Sequence, residues 1–157
     1  MDAKLYAPFV SVFFEVLPQF GFNEVKRGEL KLKDKLTTAL GVTALIGLSK
    51  DVRGNVGYSM SLDTAQSVAG KMMGMPPVAE FDQMAQSAIA ELANILTSSV
   101  VIAYEKQNLI VAISPPALIT GENVTVMSQV NTLAIQIFTD AGLIEVNASL
   151  DAAASIS

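Results

Sequence analysis

The chain has 157 residues, of which 51% are hydrophobic, with ten basic and fifteen acidic side chains and neither histidine nor cysteine. That length makes one domain the default and lets roughly two-thirds of the unfolded surface be buried. A net charge of −5 excludes nucleic-acid binding through a strongly basic face, and the two missing residue types exclude disulfides, thiol catalysis, ordinary zinc sites and every Ser–His or Cys–His nucleophile.

At the N-terminus, Asp2 precedes Lys4 and no basic leader is present. The apolar stretch at 9–16 is interrupted by Glu15, closed by Pro18 and too short to span a bilayer. The chain is therefore expected to be cytoplasmic, without membrane insertion. Residues 3–17 (AKLYAPFVSVFFEVL) have the spacing of an amphipathic helix, ended by Pro18 and Gly21. Over 24–36, Glu29, Lys31, Lys33 and Lys35 alternate in part with Leu30, Leu32 and Leu36, which predicts a half-exposed strand. Residues 40–48 (LGVTALIGL) predict a buried strand, residues 51–55 (DVRGN) a hairpin turn and residues 56–61 a third strand. A short helix over 62–73 is capped by Ser61 or Asp63, and 74–77 (GMPP) is a loop.

The long helix follows at 82–103 (DQMAQSAIAELANILTSSVVIA), with Asp82 in its first turn. At about 100° per residue, Ala85, Ile89, Leu92, Leu96, Ser99, Val100 and Ala103 share one broad face. Ser87, Glu91, Asn94 and Ser98 form a narrow stripe opposite. Residues three and four apart are neighbours on a helix, so the Glu91 carboxylate and the Asn94 amide point the same way. Ala90, Ala93, Thr97 and Ser98 are small and flank them, so a large partner could lie close. Four apolar-rich segments come next, at 109–113, 123–130, 132–139 and 142–150, and 151–157 (DAAASIS) is a frayed tail. The order is helix, three strands, two helices, then three or four strands. It predicts an α+β fold with helices packed on a mostly antiparallel sheet, as a single domain over 1–150.

The second half of the chain resembles the CheC/CheX/FliY family of phosphatases, which act on the phosphorylated chemotaxis response regulator CheY; the CheX branch matches best. The residues that carry the resemblance are Ser87, Glu91 and Asn94 in SAIAELANIL and Pro115-Pro116 in ISPPALITGENV. LDTAQSVAGKMMG before the helix and DAGLIEVNASL near the end also look like CheX. Some members carry two E-x-x-N sites. Here the first helix has Ser11 and Glu15 at matching spacing but Pro18 where the second Asn would fall, which implies one site. Many such chains have a Gly shortly after the Asn; this one has Thr97-Ser98-Ser99.

The resemblance implies hydrolysis of a receiver's aspartyl phosphate. Asn94 would place the attacking water and Glu91 would pair with the regulator's active-site Lys, while Ser87, Ala90 and Ser98 would touch the partner. No cofactor of its own is implied, since the regulator supplies Mg²⁺. A homodimer formed by joining sheets is also raised. The competing reading is a non-catalytic module that binds a receiver domain or a flagellar switch component.

Other features have plainer readings. Lys26, Arg27, Lys31, Lys33 and Lys35 are half of the basic residues and fit a lysine-protected edge strand better than a dock for an acidic partner. Met72, Met73 and Met75 fit core filling, as do Phe13, Phe14 and Phe20. Pro115-Pro116 is expected to shape a strand exit rather than touch substrate. Gly70-x-x-x-Gly74 lacks the strand context of a phosphate loop.

Overall fold

The computed structural model describes residues 3–126 and 130–152. The first helical segment is broken where Pro8 has no N–H to give: α1 covers Ala3–Tyr6 and α2 Pro8–Val16. A 3₁₀ turn over Leu17–Phe20 follows. It is closed by Gly21, whose φ of 81° suits the left-handed cap.

Four strands come before the next helix: β1 (Val25–Lys33), β2 (Leu36–Thr38), β3 (Gly41–Lys50) and β4 (Val52–Met60). The β3–β4 turn is at Lys50 and Asp51, with Lys50 at φ 79°, not at 51–55 as expected. Asp51 stabilises it by donating its N–H to the Ile110 carbonyl at 3.0 Å and accepting the Ile110 N–H at 2.7 Å. Helix α3 (Leu62–Met72) is capped by Ser61, which accepts the Thr64 N–H at 3.1 Å. Helix α4 (Gln83–Glu105) is capped by Asp82, which accepts the Ala85 N–H at 2.9 Å. Asp82 is thus the cap rather than a first-turn residue.

Five strands complete the chain: β5 (Val111–Ile113), β6 (Ala117–Gly121), β7 (Val124–Val126), β8 (Thr132–Thr139) and β9 (Gly142–Ala152). β6 had no counterpart among the expected segments. Asp151 and Ala152 belong to β9 rather than to a frayed tail, and 153–157 lie outside the described residues. Of the segment expected at 123–130, residues 127–129 also lie outside them.

The main sheet is antiparallel throughout, in the order β1-β8-β9-β4-β3-β5, with β6 also paired to β3; β2 and β7 form a separate ribbon. This is the predicted α+β architecture. The helices cover one face. Ile89, Leu92 and Leu96 of α4 meet Ala44, Tyr58, Met60 and Ile144 of the sheet, and Phe13 of α2 packs on Tyr58 with ring centroids 6.1 Å apart. Helix α4 is long and apolar enough to cross a bilayer, yet its apolar stripe is buried in this core. Ser99 and Ala103, expected on that stripe, are only half-buried.

The opposite face of the sheet carries the Thr43–Ser59 hydroxyl pair at 3.0 Å and the Lys33–Glu145 ion pair at 3.2 Å. Edge strand β1 exposes Lys26, Arg27 and Lys31, whereas Lys33 is tied down by Glu145, Asn147 and the Thr37 carbonyl. Phe14 is 45% exposed and Met75 50% exposed, so neither is the core residue expected; Phe13 is fully buried, and Met72 and Met73 pack on the core.

Candidate active site

Helix α4 presents the polar stripe on the side away from the core: Ser87 and Glu91 are exposed, Asn94 and Ser98 half-buried. Neither the Glu91 carboxylate nor the Asn94 amide bonds to another described residue. Both are free to meet something from outside.

The helix is fixed from beneath by a polar contact inside an apolar core. Thr97 Oγ1 lies 2.8 Å from the Ala93 carbonyl and 2.8 Å from the Tyr58 hydroxyl. A Thr hydroxyl has one proton, and the Ala93 carbonyl can only accept. Tyr58 must therefore donate to Thr97. Burial pushes the Tyr58 hydroxyl's pKa up, and donating its proton to Thr97 likewise favours the neutral form. Ala93 and Thr97 are consequently buried, not flankers of the stripe. The small neighbours on the open side are Ala90 and Ser98.

A groove of about 510 Å³ opens along this stripe. Ser87, Ala90, Glu91 and Asn94 form one wall; Ile113, Ser114, Pro115 and Pro116 form the other. Ser98, expected at the partner surface, is not among the lining residues. The prolines, expected only to shape a strand exit, do line the groove. The sequence signal for them was available: two consecutive residues without N–H cannot continue a ladder, so the chain had to leave the sheet there.

Chemically the groove offers a carboxylate, a carboxamide and the Ser87 hydroxyl on one wall, and the Ser114 hydroxyl beside Ile113 and two proline rings on the other. Among the described residues no group of three or more acidic side chains is gathered to hold a metal ion. At the spacing-matched positions of α2, Ser11 and Glu15 are exposed, but Pro18 sits in the 3₁₀ turn and brings no amide.

Comparison with known proteins fixes the family. The family described as chemotaxis phosphatase CheX matches residues 42–139, more than half of the chain. The chain belongs to the CheX family. Both walls of the groove fall inside the matched span, and α2 falls outside it. The CheY-P phosphatase CheX of Thermotoga maritima is 27% identical over 128 residues, covering 82% of this chain and 83% of that protein. A CheX structure from Desulfovibrio desulfuricans superposes with a TM-score of 0.82 at 21% identity, covering 94% of this chain and 99% of that one. The CheX–CheY–BeF₃–Mg²⁺ complex from Borrelia burgdorferi gives a TM-score of 0.80 at 26% identity, with 93% and 97% covered.

Proposed function

We propose that this CheX-family protein hydrolyses the aspartyl phosphate of a CheY-type response regulator, with α4 laid across the regulator's phosphorylated site. The observation that carries the proposal is the unpaired Glu91–Asn94 pair on the open side of a helix whose other side is locked into the core. Membership of the CheX family, and a solved relative seen in complex with CheY, support a receiver as partner. The reaction belongs in the cytoplasm, with the regulator.

An acyl phosphate is already activated, so positioning and electrostatics are what a phosphatase must add. A water attacks phosphorus in line; its oxygen forms the new P–O bond, and the regulator's carboxylate leaves with the electron pair of the old one. The Asn94 Oδ1 accepts a hydrogen bond from that water and its NH₂ can donate one, so the amide orients without titrating near neutrality. Glu91 pairs with the regulator's active-site Lys and holds the helix in place. Mg²⁺ comes with the regulator.

The test is the rate of aspartyl-phosphate loss from a CheY-type receiver in Mg²⁺, with no addition, with this protein and with Asn94→Ala. The parent accelerates the loss. The variant loses about 100-fold of that acceleration, while still binding a BeF₃-treated receiver. Full activity in Asn94→Ala would overturn the role of the amide. Binding without any acceleration by the parent would make the protein a receiver-binding module instead.

A further inference from the structure

Strands β5 and β6 pair with the same strand, β3, in registers that do not match. Ile113 faces Leu48, whereas Ala117 faces Leu45. Three residues, 114–116, therefore stand opposite two, Ile46 and Gly47. The chain carries one extra residue there, a β-bulge that lifts the diproline out of the ladder. The same three residues line the groove opposite Glu91 and Asn94.

A bulge disrupts the ladder locally, and the prolines bring no N–H to repair it. Ser114 makes the repair. Its backbone N–H donates to the Gly47 carbonyl at 2.9 Å. Its side-chain Oγ accepts the Gly47 N–H at 2.8 Å, as a strand carbonyl would, and donates to the Pro115 carbonyl at 3.2 Å. One hydroxyl thus ties the bulge to β3 at its base and to the first proline at its crest.

We infer that Ser114 is a positioning residue: it fixes the Pro115–Pro116 wall and thereby the width of the groove into which the partner receiver seats. The inference rests on the phosphatase reading above. Proline rings carry no acid, base or charge, so the wall contributes shape alone. Shape is felt equally in the ground and transition states, and its loss raises KM while leaving kcat in place.

The experiment compares the parent, Ser114→Ala and Ser114→Thr, the last of which keeps the hydroxyl. Dephosphorylation is followed over a range of phosphorylated CheY-type receiver, and amide exchange at Gly47 is followed in the free proteins. Ser114→Ala should raise the half-saturating receiver concentration about tenfold, keep kcat within about twofold and speed exchange at Gly47. Ser114→Thr should restore all three. Parent-like KM and Gly47 exchange in Ser114→Ala would overturn the inference, as would a loss confined to kcat. A parent that does not accelerate dephosphorylation, whether or not it binds the receiver, overturns the phosphatase reading itself. The parent control thus separates the two failures.

Discussion

At the residue scale, the site divides into groups that face outward unpaired and groups that hold them there. Glu91 and Asn94 were legible in the sequence because helical spacing alone puts them side by side. Thr97 was not, since a small polar residue three positions after Asn94 reads as part of the same open surface until the sheet residue beneath it is known. If Glu91 anchors the receiver through a lysine, then Glu91→Gln removes the charge and keeps the shape. A charge-assisted bond contributes about 1.5–3 kcal/mol, so the half-saturating receiver concentration should rise at least roughly tenfold. Binding by the parent should weaken with added salt, and binding by Glu91→Gln should respond less. Equal salt dependence in titrations of the two would argue against the ion pair. For the contact beneath, Thr97→Val strands the Tyr58 hydroxyl in an apolar core, at a cost of about 1–3 kcal/mol in urea denaturation. Adding Tyr58→Phe removes the stranded group and should recover most of that loss. An additive double variant would mean that the two hydroxyls do not act as a pair.

At the element scale, the helices and the long strands followed from their periodicities, and the short connections did not. Gly54 shows why. Placed among Asp51, Arg53 and Asn55 it reads as a turn residue, but it lies within β4 at φ +145°. There it lets β4 pass so close to β9 that a Cβ would collide with the Ser149 carbonyl. The signal was a close approach between strands nearly a hundred residues apart, which no local pattern carries. Strand β6 was missed for the complementary reason. Pro115 and Pro116 look like a terminus, yet the chain rejoins the same neighbour after one extra residue. Gly54→Ala combines an unfavourable φ with a backbone collision in the middle of the sheet. It should cost about 4 kcal/mol or more, read as a collapse of the melting temperature or a failure to accumulate folded protein. Retention of the parent's melting temperature would mean that β4 and β9 sit farther apart.

At the scale of the whole molecule, the three tyrosines join layers that are remote in sequence. Tyr58 bonds β4 to α4. Tyr104 of α4 donates to the Leu5 carbonyl of α1. Tyr6 donates to the Leu150 carbonyl of β9 and accepts the Leu150 N–H. All three hydroxyls have their pKa raised above the ordinary value of 10.0, chiefly by burial; for Tyr104 the neighbouring Tyr6 and Tyr58 add to it. The neutral form is the one the fold accommodates. Because the folded values lie above the unfolded ones, the stability these groups contribute is fully present below pH 10 and is lost as pH rises beyond it, when the unfolded chain ionises first. Each fully buried tyrosine then removes about 1.4 kcal/mol per pH unit. With no histidine or cysteine in the chain, no side chain has its ordinary pKa between the carboxylates and the tyrosines and lysines. The unfolding free energy should therefore be nearly flat from pH 6 to 9 and fall steeply above 10. Tyrosinate absorbance should appear together with the loss of helical circular dichroism rather than before it. Tyrosinate formed in a still-folded protein would show that these hydroxyls reach water and that the layers are less tightly joined than the three bonds require.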